Sequence, residues 1–146
     1  MQLGTKGRYA VISMLGLYEA QQTASVISLS LIAEKENISV PYLEQLFAKL
    51  RQAGLIESFR GSNGGYRLAK SPKDISIGQI IRAAEENILF TRCGPKTERN
   101  CTSTGTVCKT HHLWDHLTQN VMDFLDNISL EDVATGALSY SAERAS

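Results

Sequence analysis

Between residues 29 and 68 the chain reads as two short helices, a tight turn between them and a glycine-tipped hairpin, which restricts it to a small set of helix–hairpin folds. The first of these helices spans Leu29 to Glu36, with Leu29, Ile32 and Ala33 inward. Asn37-Ile38-Ser39 makes the turn. Ser39 is placed to cap the next helix, and Pro41 sits in its first turn, where a missing N–H costs little. Along that helix Leu43, Leu46, Phe47 and Leu50 form one apolar stripe, leaving Ser39, Tyr42, Gln45, Lys49 and Gln52 on other faces. Ala53-Gly54 breaks it. Leu55 to Phe59 alternates as a strand, Arg60-Gly61-Ser62-Asn63-Gly64-Gly65 turns, and Tyr66-Arg67-Leu68 returns. Two short helices at a tight turn, the second with donors outward, describe a helix-turn-helix, and the basic-tipped hairpin completes the outline of a winged helix. A plain helical hairpin with a solvated face is the alternative for the helices alone. A phosphate loop is the alternative for the glycines, but the required Gly-x-x-x-x-Gly-Lys-Ser/Thr order is missing.

The rest of the chain adds helices. Thr5 to about Gln21 carries Ala10, Val11, Met14, Leu15, Leu17 and Tyr18 at helical spacing, and Val26-Ile27-Ser28 fits a strand or a turn. Ile75 to Glu86 reads as a helix with Ile77, Ile80, Ile81 and Ala84 inward and Ser76 as its cap. Leu113, Trp114, Leu117, Val121, Phe124, Leu125 and Ile128 mark a helix from about His112 to Asp126, and Ser129 opens a last short one to about Leu138. Ser139 to Ser146 reads as a frayed tail. The fold class is mainly α with a small β-hairpin: a winged helix-turn-helix plus a long helix whose apolar stripe suits a dimer interface. Packing of that stripe onto its own domain is the alternative.

All three cysteines fall within sixteen residues, and a histidine follows the last by three: Cys93, Cys101, Cys108 and His111 spell C-x7-C-x6-C-x2-H. The intervening Gly94, Pro95, Lys96, Thr97, Glu98, Arg99, Asn100 and Thr102 to Thr106 have little to pack, so something other than apolar burial must order the segment. Three thiolates and one imidazole suit zinc or an iron–sulfur cluster. An odd cysteine count fits poorly with a disulfide framework. His112 and His116 are nearby alternatives to His111 as the nitrogen donor.

The formal net charge of zero hides an asymmetry. Residues 1–73 hold nine Lys and Arg against five Asp and Glu, whereas residues 74–146 hold six against ten. The basic half is the one that would touch a polyanion. No apolar run follows the basic N-terminal residues and no stretch is long enough to span a bilayer, so the expected compartment is the cytoplasm, with no membrane partner. Its reducing poise favours metal-bound thiols.

Thr5-Lys6-Gly7-Arg8-Tyr9-Ala10-Val11, the stretch Ser39 to Leu50 around Tyr42-Leu43-Glu44-Gln45-Leu46-Phe47, and Arg60-Gly61-x-x-Gly64-Gly65-Tyr66 resemble the IscR-type iron–sulfur cluster regulators, the winged-helix family of IscR, NsrR and RirA. Cys108-Lys109-Thr110-His111 followed by Leu113-Trp114 resembles the cluster segment of that family. The resemblance covers roughly residues 1 to 135. It implies a homodimeric transcription factor, expected to be a repressor, that binds a [2Fe–2S] cluster through Cys93, Cys101, Cys108 and His111 and regulates cluster assembly genes. It implies three parts: residues 1–86 as winged helix-turn-helix DNA-binding domain, 87–111 as cluster-binding loop, and 112–146 as dimerisation helix and tail. It further implies that the helix from Ser39 enters the major groove, that Arg60 at the wing with Gly61 reaches a minor groove, and that Glu44 discriminates between classes of site. Two departures stand out: the cysteine spacing is longer than the x5 and x5 of better-known members, and position 41 is proline where relatives can carry serine.

On double-stranded DNA, Lys49, Arg51, Arg60, Arg67 and Lys70 are the expected phosphate contacts, and Gln45 and Tyr42 the expected readers of base edges. A two-fold dimer implies a palindromic operator. The rival functions are a [4Fe–4S] regulator of the same family responding to nitric oxide or iron, a Cys3His zinc module, an enzyme using a Cys108–His111 pair, and a cluster-free regulator of the same fold.

Overall fold

The structure, a computed structural model, describes residues 3–86, 88, 90 and 105–138. Cys93, Cys101 and the expected tail from Ser139 lie outside the described residues.

Six α-helices, one hairpin and a short 3-10 helix at Pro72–Asp74 make up the described residues. The first helix, α1, is Thr5–Ala20 and buries Ala10, Met14 and Leu17. It opens at Gly4 with no side-chain cap of its own. The Glu86 carboxylate accepts from the Gly7 N–H at 3.3 Å instead, supplying an acid to the positive end of the helix from 79 residues further along the chain. Helix α2, Leu29–Glu36, starts where Ser28 Oγ accepts from the Leu31 N–H at 3.3 Å, and stops at Asn37 in the left-handed region. Helix α3, Val40–Gln52, follows at once and buries Leu43, Leu46, Phe47 and Leu50, the expected stripe. Ser39 stands at its N-cap position but its side chain makes no capping hydrogen bond, so the cap expected there does not form.

Strands β1, Ile56–Phe59, and β2, Gly65–Leu68, pair antiparallel with Ile56 opposite Leu68, Glu57 opposite Arg67, Ser58 opposite Tyr66 and Phe59 opposite Gly65. Ile27 adds an antiparallel bridge to Tyr66, with both hydrogen bonds made at 2.9 and 2.8 Å. The stretch before α2 is therefore a strand fragment laid along the wing. Only glycine fits at position 65, because a Cβ there would stand 2.2 Å from the Ile27 carbonyl oxygen. Tyr66 packs edge-on against Phe47, ring centroids 5.0 Å apart, which fastens the wing to α3.

Helix α4, Ile77–Ala83, is shorter than the expected span at both ends. Ile75 is extended and fully buried, and its carbonyl accepts from the Leu130 N–H at 2.8 Å. Next to it Ser76 bridges Ser129, and both serines head capping boxes, Ser76 with Gln79 and Ser129 with Asp132. Two helix starts are thus knitted together across 53 residues of chain, burying Ile75, Ile128 and Leu130. Helix α5 runs His111–Asp126 and helix α6 Leu130–Thr135. At 16 residues α5 is about 24 Å long. Among its residues only His111 is buried. Of the expected stripe, Leu113 is 59 % exposed and Phe124 61 %, Trp114, Leu117 and Val121 are half-buried, and Leu125 and Ile128 pack on the core, so only part of the stripe is covered within the described residues. The far end of α5 is tied to α4 by a two-pronged pair, the Arg82 guanidinium on the Asp126 carboxylate.

No helix among the described residues is long and apolar enough to cross a membrane.

Candidate nucleic-acid interface and thiol segment

With one flank of α3 committed to the core, the 100° step per residue assigns the others. Pro41, Gln45 and Gln52 project away from the core and are exposed. Glu44 and Arg51, two turns apart, share the flank toward the wing, where Arg51 Nη1 donates to Ser58 Oγ of β1 at 3.2 Å. Between that flank and the hairpin lies a cleft of about 340 Å³, lined among others by Ser28, Glu44, Arg51, Ser58, Arg60 and Tyr66. The fold thus brings together Glu44, Arg51 and Arg60, three expected DNA contacts from two elements. Gly61 is at the exposed wing tip with φ 114°, where its carbonyl accepts from the Gly64 N–H at 3.0 Å.

Other expected contacts are engaged elsewhere. Tyr42 is half-buried on the flank toward α1, its ring perpendicular to that of Tyr9 with centroids 5.7 Å apart, so it packs on α1. Lys49, on the same flank, places Nζ 2.6 Å from Glu85 Oε2 beyond α4. The hydrogen bond from Lys49, then its charge, hold the Glu85 carboxyl below its ordinary range. Arg67 lies directly opposite Glu57, and hence on the hairpin face other than that of Ser58. Its Nε and Nη2 are each 3.0 Å from Glu57 Oε2, and the guanidinium sits 4.7 Å from the centre of the Phe59 ring. Ser39 is exposed at the start of α3. Ser58, Glu57 and Glu85 carry roles that sequence inspection missed. The Glu57–Arg67 pair was legible from the hairpin register; Glu85 has no local signal.

Of the thiol segment, the structure describes Cys108 and His111. They close one turn at the start of α5, where the His111 N–H donates to the Cys108 carbonyl at 3.0 Å. The His111 side chain is 4 % exposed, whereas His112, edge-on to it at 5.5 Å, and His116 are exposed. Cys108 Sγ is half-buried and 3.5 Å from Thr110 Oγ1, which can donate to it as thiolate. Among the described residues no group of three or more His, Cys, Asp or Glu is arranged around a metal position.

The sequence profile of the Rrf2 family, described as an iron-dependent transcriptional regulator, matches residues 3–136. The chain belongs to the Rrf2 family. An HTH-type transcriptional regulator of Neisseria meningitidis serogroup A is 50 % identical over 133 residues, 91 % of this chain and 87 % of the relative. The HTH-type transcriptional regulator IscR of Aliivibrio salmonicida is 46 % identical over 133 residues, covering 91 % and 77 %. Among solved structures, T. potens IscR is similar with a TM-score of 0.73 and 36 % identity over 94 % of this chain and 88 % of that one. CymR, the global cysteine regulator of B. subtilis, is similar with a TM-score of 0.67 and 34 % identity, covering 93 % and 98 %. As an Rrf2 member the chain is an IscR-like transcriptional regulator with a winged-helix fold, and it is not an enzyme.

Proposed function

We propose that this Rrf2 protein is a cytoplasmic repressor of cluster assembly genes that senses iron–sulfur status through a [2Fe–2S] cluster held by Cys93, Cys101, Cys108 and His111. The observation that carries the proposal is the His111 side chain. It is a polar ring 4 % exposed at the head of α5, the one fully buried residue of that helix, one turn from a cysteine. A soft-donor set of three thiolates and one nitrogen fits an iron–sulfur centre. The same burial favours His111 over His112 as the nitrogen donor. When bound, such a cluster supplies one-electron redox chemistry and a signal that disappears with the iron. Thr110 Oγ1 would steady Cys108 as thiolate through its hydroxyl.

The division of labour along the chain follows: residues 1–86 bind DNA, 87–111 hold the cluster, and 112–146 pair two copies. Dimerisation is supported by the part of the α5 stripe left open, where Leu113 and Phe124 face solvent. Two-fold pairing presents two copies of α3 to a palindromic operator, with Gln45 on base edges and Glu44, Arg51, Arg60 and Gly61 along the wing-side cleft. Ser39 would bond backbone at the helix start, and Lys49 and Arg67 would contribute charge at its margins.

Visible absorption with iron and sulfide analysis of protein purified without air tests the assignment, repeated on His111→Ala. The expected result is two irons and two sulfides per chain in a coloured protein, with loss or a spectral change in the variant. Zinc in colourless protein would replace the cluster by a structural metal, and four irons per chain would point to the nitric oxide- or iron-responsive type. Unaltered regulation after Cys93→Ala would favour a cluster-free regulator.

A further inference from the structure

Among the described residues, four helices stop on a residue in the left-handed region: Asn37 (φ 52°), Gly54 (φ 75°), Glu85 (φ 57°) and Gly136 (φ 68°). Glycine and asparagine tolerate that conformation, whereas the Cβ of a glutamate crowds the next carbonyl. After α4 the stop has its full two-bond form, with the Glu85 N–H on the Arg82 carbonyl at 3.0 Å and the Glu86 N–H on the Ile81 carbonyl at 3.3 Å. Glycine would make both bonds with less strain, so the backbone gives no reason for a glutamate. The side chain gives one. Its carboxylate accepts from Lys49 Nζ at 2.6 Å, 36 residues back on α3. The pair is half open to solvent, the Glu85 side chain 70 % exposed and that of Lys49 29 %. The turn that carries it is pinned, because Glu86 Oε2 holds the Gly7 N–H at 3.3 Å and a Cβ on Gly4 would stand 2.1 Å from Glu86 Oε1.

We propose that Glu85 is an internal stand-in for a DNA phosphate, occupying Lys49 of α3 and holding the DNA affinity of the chain below its maximum. This rests on the assignment of α3 as the DNA-facing helix. Lys49 lies one turn beyond Gln45 on the same ridge, at the margin of the exposed face. The Glu85 carboxylate takes one of the three donors of the Lys49 ammonium, offsets its charge and directs it toward α4, so a phosphate contact by Lys49 is made against that pair. The ion pair also removes one cation from the field that attracts the duplex. The strained stop keeps the competitor in place.

Fluorescence anisotropy of the full chain on a mixed-sequence duplex, long enough for two half-sites a helical turn apart, tests this across a KCl series. Glu85→Gln and Glu85→Gly should each bind roughly two- to fivefold tighter per protomer, the range set by exposed ion pairs. The plot of log affinity against log salt should steepen by about 0.9 per protomer, one added phosphate contact. In a Lys49→Ala background the same Glu85 changes should have no effect. Glu85→Gly should also melt no earlier than the parent, relief of the left-handed strain offsetting the lost pair. An unchanged affinity and slope in Glu85→Gln would overturn the proposal. So would weaker binding, which would make Glu85 a positioning residue for Lys49, or a gain that persists without Lys49, which would make it simple charge repulsion. If Arg60→Ala weakens binding while changes at Lys49 and Glu85 do nothing, the competition fails and the DNA assignment stands. If the parent chain binds no duplex, the assignment itself fails.

Discussion

Phe124→Ala separates the two uses to which the outer face of α5 could be put. Within one chain Phe124 is 61 % exposed, so truncation removes little packing from the protomer. Against a second copy the outcome differs. Full burial of such a side chain contributes about 1.5–3 kcal/mol, and the exposed share of Phe124 therefore roughly 1–2 kcal/mol. A two-fold interface counts every change twice, which gives roughly 2–4 kcal/mol per dimer and a dissociation constant about thirty- to eight-hundred-fold higher. Sedimentation equilibrium over a concentration series measures that constant. Circular dichroism melts at a dilution where parent and variant are both monomeric should superimpose, because α5 buries only His111 in its own chain. A parent that is monomeric at every concentration, or a dimer constant untouched by the substitution, would refute the reasoning. A large drop in the monomer melting temperature would refute it too, since the phenylalanine would then be packing within its own protomer.

Arg60→Ala should weaken operator binding and flatten the salt dependence by about 0.9 per protomer, read by anisotropy against KCl; an unchanged slope would take Arg60 off the phosphates. Ser76→Ala removes the hydroxyl that caps Gln79 N and should cost about 1 kcal/mol in a urea titration. Since Ser76 also bridges Ser129, the double substitution with Ser129→Ala should depart from additivity. Hydrogen bonds from the backbone, then the hydroxyl, of Ser129 hold the Asp132 carboxyl below its ordinary 3.8. A depressed carboxyl adds stability that is complete above the unfolded value and is lost as pH falls through the folded one. The urea midpoint should accordingly drop on acidification below about 3.8, and less so in Ser129→Ala.

Helix starts are legible where a serine side chain closes onto the third residue after it, as at Ser76 and Ser129; Ser28 does the same for α2 but reads in the sequence only as part of a strand or turn. Ser39 has the same signature and makes no such bond. A cap preference states what a residue can do, and the turn between α2 and α3 does not use it. The span of α4 was overestimated at both ends. Ile75 has the apolar character of a helix position, but burial alone does not distinguish a helical isoleucine from an extended one, and its partners at 128–130 are remote. At the other end Glu85 is a good helix former, yet it stands left-handed in a two-bond helix stop that no local signal marks, its carboxylate on Lys49 of α3.

The candidate interface divides along the same line. Its side chains, their sign and their rough faces follow from a 3.6-residue period and a hairpin turn, which act over a few residues and are written in local order. Tertiary structure decided which of them converge. Arg51 and Arg60 share a cleft with Glu44, Lys49 is held by Glu85, and the ring of Tyr42 rests on Tyr9. The physical reason is range. Propensity and periodicity are properties of neighbours in sequence, whereas an ion pair or ring contact forms only between groups that the core has already brought within a few ångströms of each other.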